Sequence, residues 1–239
     1  MKVNTDGVLL AAWSSVPVNG GKVLDIGAGT GVISLIVAQR TENHTVQTDI
    51  HAIEIDSVSA DECRENFISS PWSGRLSVTN ISLKSFLTNY FPPRDGEYSN
   101  ILTNPPYFTQ SLKADSQRKS IARHNDSMPF EQIALSSSVM LKENGTLSII
   151  LPIAEFARFK GCANEMGLYL NRECIVKTVE NKPPKRVMAE FTKGLCPLKV
   201  NDAQVLVMQE IGGEYYTEQY CSLVEDYYQK SLKKMRSSI

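Results

Sequence analysis

Short runs of β-branched and aliphatic residues alternate along the chain with longer stretches whose apolar positions recur at helical spacing, and that alternation predicts the elements. Residues 22–26 (KVLDI) read as a buried strand and 31–40 as a helix, with Val32, Leu35, Ile36 and Gln39 at helical spacing. Residues 48–55 form a second strand, and 57–69 a second helix opened by Ser57, an N-cap type of residue. Strands follow at 75–79 and 98–103, then a helix at 130–142, a fully apolar strand at 145–151 and a helix at 153–167. Residues 169–179 and 186–192 read as two consecutive strands joined through Lys182-Pro183-Pro184-Lys185, and the tail holds a strand at 204–209 and an aromatic-rich helix at 217–230. Strands alternating with helices imply parallel βαβ units, and two successive strands without a helix imply an antiparallel hairpin. The expected architecture is therefore a doubly wound α/β domain with a mainly parallel seven-stranded sheet and the hairpin at one edge. The whole chain, 1–239, reads as one domain: a helical N-terminal segment (1–20), a core (21–195) and a C-terminal strand and helix elaboration (196–239).

Composition narrows the class without choosing a function. At 42% hydrophobic and 21% charged, the chain is too apolar for disorder and too polar for a membrane bundle. It has no run near the roughly 18 consecutive apolar residues of a membrane span. The first residues lack the apolar stretch of a signal peptide, so a cytoplasmic protein is expected. Five scattered cysteines (Cys63, Cys162, Cys174, Cys196, Cys221) form no CxxC pair, and three isolated histidines add no ligand cluster, so neither a metal site nor a disulfide framework is expected. The net charge of −1 hides an asymmetry: residues 1–100 carry 7 Lys+Arg against 11 Asp+Glu, residues 101–200 carry 14 against 9. A basic middle in a nearly neutral chain is what a polyanion would leave as a footprint, although charge also fluctuates along any solvated chain.

The chemistry starts at Val23-Leu-Asp-Ile-Gly-Ala-Gly-Thr-Gly31, a glycine-rich turn between strand one and helix one. Glycines there let the backbone pass close to a ligand resting near the helix N-terminus. A dinucleotide fingerprint would require a small residue at position 32, where Val32 stands, and the third glycine comes early, at Gly31. The loop Gly27, Gly29, Gly31 thus suits a compact nucleoside better than a pyrophosphate, and a nucleotide-linked dehydrogenase is the least favoured reading. Asp25 puts a carboxylate beneath the loop, suited to a cationic amino acid moiety. Glu54, followed by Ile55 at the tip of strand two, is placed to accept both ribose hydroxyls. The combination resembles the S-adenosylmethionine site of class I methyltransferases, whose fold is Rossmann-like, and S-adenosyl-L-methionine is the expected cofactor.

Directly after the fourth strand stands Asn104-Pro105-Pro106-Tyr107. The prolines fix φ and carry no N–H, so the loop is stiff and presents bare carbonyls. The Asn104 side-chain oxygen and the Pro105 carbonyl can both accept from one planar NH₂ group, and Tyr107 offers a face for a flat ring, worth about 1–3 kcal/mol if that ring is a base. The motif resembles that of amino methyltransferases acting on exocyclic adenine or guanine nitrogens or on a protein glutamine amide.

A wider set of residues resembles one family in particular: Lys2-Val3-Asn4-Thr5-Asp6-Gly7-Val8-Leu9-Leu10, Asn66 through Pro71-Trp72, Asn104 through Phe108, and Arg118, Arg123 and His124. These look like the bacterial valine-tRNA adenine N6-methyltransferases, which modify adenine 37 beside the anticodon. The resemblance implies methyl transfer to N6 of an adenine flipped from the anticodon loop, with tRNA as partner, a monomeric enzyme, and Thr5 and Asp6 as further cofactor contacts. Lys113, Arg118, Lys119, Arg123, Lys182, Lys185 and Arg186 would then flank the mouth and meet RNA phosphates. Two departures carry expectations. The family has a short segment before the Lys2–Gly7 element, so binding of cofactor or RNA is expected to be weaker here. Ser82 stands where the family offers an aspartate to the cofactor's adenine amine, and a neutral acceptor is weaker than a charged one. Those departures motivate a rival, an RNA-binding module that keeps the fold but not full catalysis; within enzymes the rival is another exocyclic amine, on ribosomal RNA guanine or protein glutamine. Trp72 is expected to pack under a turn, and Tyr215, Tyr216, Tyr220, Tyr227 and Tyr228 to form the apolar face of the last helix.

Overall fold

A computed structural model of the chain describes residues 4–90, 96–106, 128–194 and 203–234. In chain order its elements are α1 (Thr5–Trp13), β1 (Gly21–Ile26), α2 (Val32–Arg40), β2 (Thr48–Glu54), α3 (Ser57–Ile68), β3 (Leu76–Asn80), α4 (Leu83–Tyr90), β4 (Tyr98–Thr103), α5 (Phe130–Met140), β5 (Leu141–Pro152), α6 (Ile153–Glu165), β6 (Leu168–Val179), β7 (Arg186–Lys193), β8 (Gln204–Gln209) and α7 (Glu218–Val224). The strands form one sheet in the order β3-β2-β1-β4-β5-β7-β6-β8. The five strands from β3 to β5 are mutually parallel, and β7 runs antiparallel to both β5 and β6.

The sheet has eight strands, not seven, and the β6–β7 hairpin is not its edge. β8 pairs parallel with β6 from Cys174↔Gln204 to Val179↔Gln209 and takes the outer position. The physical reason is the length of β6: twelve residues would otherwise present unpaired N–H and C=O groups along an open edge.

Period-2 alternation along the strands sorts their side chains onto two faces. Val23, Ile50, Leu102, Ile150 and Met188 join α1, α2 and α7 in one buried cluster. Leu24, Ile53, Ile101, Ile149, Val187 and Phe191 join α4, α5 and α6 in the other. Helix α3 packs over Ala52 through Cys63 and Phe67. In β6 the alternation reverses. Leu168 and Leu170 belong to one cluster, Cys174 and Val176 to the other, because the register with β7 shifts between Leu170 and Arg172. An extra residue in one strand flips every side chain beyond it to the opposite face.

Three elements depart from the sequence expectation by more than two residues at a boundary or by their presence. α4 was not expected; Leu83 and Phe86, three residues apart, anchor it to the core. β5 begins at Leu141 instead of 145, passing through Asn144 at a φ of 62°. The last helix ends at Val224 and gives way to a single 3₁₀ turn, Glu225–Tyr227, before the backbone turns extended at Tyr228. That turn lets the chain fold back, so that the Tyr216 amide donates to the Lys233 carbonyl at 2.9 Å. Of the five tyrosines expected on the face of the last helix only Tyr220 lies within it, yet four pack inward: Tyr216 stacks on Tyr220 at 5.0 Å, Tyr220 is buried, and Tyr227 and Tyr228 pack against the same cluster. Trp72 packs there too and donates its indole N–H to Glu42 at 3.0 Å.

Candidate active site

The chain winds outward from β1 in both directions, to β2 and β3 on one side and to β4 and β5 on the other. The crevice at the carboxyl ends of β1 and β4 is thus the topological switch point, where ligands of such sheets bind. Register brings the expected groups to that one end: Ile26 pairs with Ile53 on β2 and with Thr103 on β4, so Gly27, Glu54 and Asn104 follow on three adjacent strands. The Thr103 hydroxyl ties β4 to β1 by donating to the Ile26 carbonyl at 2.9 Å.

The glycine loop is a specific fold of backbone. The Gly27 and Ala28 amides donate to the Ile53 carbonyl at 2.9 and 3.1 Å, and the Gly31 amide closes a turn onto the Ala28 carbonyl at 2.9 Å. Gly27, Gly29 and Gly31 lie at φ of 72°, 56° and 86°, in the left-handed region. At Gly31 a second constraint applies, since a Cβ there would meet the Phe67 ring at 2.6 Å and the Cys63 sulfur at 2.8 Å. Helix α3 supports the loop further through Asn66, whose side-chain amide donates to the Thr30 carbonyl at 2.9 Å. Asn66 stands in the resembling stretch of sequence without a role; the signal that gives it one is tertiary.

Glu54 is buried, with Oε2 accepting from the Gly29 amide at 2.8 Å and Oε1 from the Asp56 amide at 2.9 Å. Each carboxylate oxygen keeps a second lone pair for another donor. Ile55 beside it is 48% exposed, an apolar surface at the strand tip. Asp25 has no exposure at all; its Oδ2 accepts from the Ser34 amide at 3.2 Å and the Ser34 hydroxyl at 2.7 Å, while Oδ1 finds no hydrogen-bond partner among the described residues. Burial pushes the Asp25 carboxyl up to about 7, against the pull of the two Ser34 hydrogen bonds and with a small further push from the Glu54 charge.

Asn104 is half-buried, Pro105 buried and Pro106 exposed. The first turn of α1 borders them. A methyl group built on Gly7 would touch Val32 at 3.2 Å and lie 3.9 Å from the Asn104 amide nitrogen. Thr5 is exposed in that turn, and Asp6 is engaged by Arg186, whose Nε donates to Oδ2 at 2.9 Å. One expected cofactor contact and one expected RNA contact therefore form an ion pair with each other. Ser82 caps α4: its hydroxyl accepts from the Ser85 amide at 3.1 Å and donates to the Ser85 hydroxyl at 2.9 Å. Asn80 donates to the Glu54 and Ile55 carbonyls at 2.8 and 3.0 Å, binding the end of β3 to the end of β2. Lys182 and Lys185 are exposed on the β6–β7 connection, at the same end of the sheet because Arg186 pairs with Pro152 at the end of β5. Tyr107, Lys113, Arg118, Lys119, Arg123 and His124 lie outside the described residues. Among the described residues no three His, Cys, Asp or Glu side chains cluster as metal ligands, and no helix is long and apolar enough to cross a membrane.

Comparison with known proteins places this geometry. Residues 6–151 match the family model of the methyltransferase small domain. The chain is 39% identical over 230 residues to the tRNA1(Val) (adenine(37)-N6)-methyltransferase of Flavobacterium psychrophilum, covering 96% of this chain and 93% of that one. To the protein of the same name in Bacteroides fragilis it is 36% identical, covering 96% and 92%. Among solved structures, a predicted O-methyltransferase from Agrobacterium tumefaciens superposes with a TM-score of 0.65 at 20% identity, over 92% of this chain and 96% of that one, a likeness of fold.

Proposed function

The chain belongs to the tRNA1(Val) (adenine(37)-N6)-methyltransferase family, and from that premise we propose that it transfers the methyl group of S-adenosylmethionine to the exocyclic N6 of adenine 37 in valine tRNA. The observation that carries this reading is the meeting of two loops: the glycine turn after β1 and Asn104-Pro105-Pro106 after β4 leave paired strands at the same end. One loop suits a methyl donor and the other a planar amine.

The residues fit the cofactor. The unpartnered Oδ1 of Asp25 supports an acceptor for a cationic amino group reaching beneath the glycine loop. The Glu54 carboxylate, already oriented by two backbone amides, has lone pairs left for the ribose hydroxyls. Ile55 offers an apolar face to the adenine, and Thr5 is exposed in the first turn of α1. When bound, the sulfonium supplies an already activated methyl group, so the protein's contribution is alignment. In this reading Asn104 Oδ1 and the Pro105 carbonyl accept from the N6 amine, hold its plane and turn its lone pair toward the donor. Pro105 and Pro106 keep those carbonyls rigid, and Tyr107 stacks the flipped base, whose extrusion from a loop costs only a few kcal/mol. A tRNA substrate is met in the cytoplasm, and every group given a role in this reading comes from one copy of the chain. Lys182 and Lys185 on the β6–β7 connection would meet phosphates, together with Lys113, Arg118, Lys119 and Arg123.

The test is radiolabelled methyl transfer to tRNA from a strain lacking the modification, followed by nucleoside analysis and mapping. N6-methyladenosine at position 37 of valine tRNA is expected. Label on ribosomal RNA guanine or protein glutamine, or no label on any acceptor, would overturn the proposal. Asn104→Ala should lower kcat by roughly 10² or more while cofactor affinity holds, since a misplacement of about 1 Å at the reacting pair costs that much.

A further inference from the structure

Helix α1 is held at both ends by one strand. On β7, Arg186, Met188 and Glu190 alternate onto the face that α1 covers. Met188 is buried in the cluster that contains Val8, Leu9 and Leu10. Beyond the C-terminus of α1, Glu190 accepts from the Ser15 amide and hydroxyl, both at 2.9 Å. Arg172, paired with Glu190 at 3.3 Å, lies 4.0 Å over the Trp13 ring and donates to the Trp13 carbonyl at 2.8 Å. At the N-terminus Arg186 takes Asp6, while the Asn4 side chain caps the same turn by accepting from the Asp6 amide at 3.0 Å. That turn is the one whose Gly7 backs onto Val32 of α2 and approaches Asn104.

We infer that Arg186 is a positioning residue: through Asp6 it holds the first turn of α1 against the Asn104 side of the crevice, and so sets the cofactor's wall rather than contacting RNA. This rests on the proposed function for the identity of the cofactor and of the polyanion. The Arg186 guanidinium is committed to Asp6 and, through NH1, to the Lys185 carbonyl at 3.2 Å. An ion-paired cation offers a phosphate little net charge, whereas Lys182 and Lys185 stand exposed on the same connection. The alternation that puts Arg186 on the α1 face also keeps it in line with Met188 and Glu190, both buried under that helix.

The test compares the full chain with Arg186→Ala, Arg186→Lys, Asp6→Asn and the Asp6→Asn/Arg186→Ala double variant in four readouts. Amide exchange of the cofactor-free protein should rise about tenfold at residues 5–8 in Arg186→Ala, and S-adenosylhomocysteine affinity by calorimetry should fall about tenfold, within the usual range of a coupling carried through one contact. The double variant should bind S-adenosylhomocysteine no more weakly than Asp6→Asn alone, because the two residues act as one unit. Arg186→Lys should restore most of the affinity. The slope of tRNA affinity against salt should be unchanged, and in turnover the KM for the methyl donor should rise while that for tRNA stays put. A fall of about one in the salt slope of Arg186→Ala, with exchange and S-adenosylhomocysteine affinity unmoved, would overturn the inference, as would losses from Asp6 and Arg186 that simply add. Wild-type protein that methylates no tRNA would defeat the proposed function instead, and the exchange and S-adenosylhomocysteine readouts would still decide the role of Arg186.

Discussion

Asp25 shows how a single buried group links fold stability to the site. Its carboxyl is raised from an ordinary 3.8 to about 7, chiefly by burial, so the folded cofactor-free protein holds this proton more tightly than the unfolded chain. The folded state therefore binds more protons between those values, and the stability tied to this group is full below the unfolded pKa and lost as pH climbs toward about 7. Denaturant unfolding at stepped pH should show a decline of up to a few kcal/mol across that window. Asp25→Asn should flatten it; an unchanged decline in that variant would assign the pH dependence elsewhere. The same linkage sets the ligand's profile. A cationic amine donating to Oδ1 favours the ionised carboxylate, so S-adenosylhomocysteine should bind more tightly as pH rises through neutrality. Binding should slacken again at more alkaline pH, where the ligand's own amino group loses its charge. A flat profile would mean that Oδ1 is not the amine's acceptor. Gly31 makes the complementary point about backbone. With its φ at 86° and Phe67 only 2.6 Å from an added Cβ, Gly31→Ala should lose roughly 1–3 kcal/mol of stability in the same denaturation experiment.

At the scale of elements, Ser82 separates a structural role from a ligand role. Its hydroxyl satisfies the Ser85 amide at the start of α4, so Ser82→Ala should cost about 1 kcal/mol in denaturation while S-adenosylhomocysteine affinity changes little. A large loss of affinity with no loss of stability would return Ser82 to the cofactor's adenine. This helix also marks where sequence patterning stops. The strands β1, β2 and β4 were legible because their apolar runs end in turn chemistry, Gly27 in one and Asn104-Pro-Pro in another. The meeting of those strand tips was legible for the same reason, since they are neighbours in the 3-2-1-4-5 strand order that this sheet follows. α4 was not predicted: Leu83, Phe86 and Leu87 do fall at helical spacing, but eight residues are a short signal against the roughly 11–18 over which that period is read. The bulge of β6 left none, because the face a residue occupies beyond it depends on register with β7. The last helix stopped early for a tertiary reason as well: Tyr220 and Tyr228 approach hydroxyl to hydroxyl at 3.3 Å, which requires the chain to turn extended between them. The pairing of Asp6 with Arg186 lay beyond reach too, its members being 180 positions apart.

For the whole molecule, the question is how a chain of net charge −1 holds a polyanion. The sequence surplus in residues 101–200 is reduced by one where Arg186 pairs with Asp6, while the other ion pairs named here join residues already counted against each other in it. Arg172 pairs with Glu190, Arg186 with Asp6, Lys177 with Glu180, and Arg158 with Glu131. Lys182 and Lys185 enter no ion pair among the described residues, and the connection that carries them projects from the end of the sheet where Asn104 stands. In the proposed reading their charge would act on phosphate through counterion release, a contribution that is independent of sequence and strongly dependent on salt. Replacing both with serine should weaken tRNA binding alike for cognate and non-cognate tRNA and lower the slope of log affinity against log salt by about two. S-adenosylhomocysteine affinity should be untouched, because neither lysine belongs to the Asp25–Glu54 side of the crevice. Filter binding of valine tRNA and of one unrelated tRNA at several salt concentrations would measure both slopes. Loss confined to valine tRNA would mean that the connection reads nucleotide identity, and an unchanged slope would remove it from the RNA path altogether. A loss shared by both tRNAs would leave recognition of adenine 37 to the stiff Asn104-Pro105-Pro106 loop, and its delivery to a cationic lip beside the crevice.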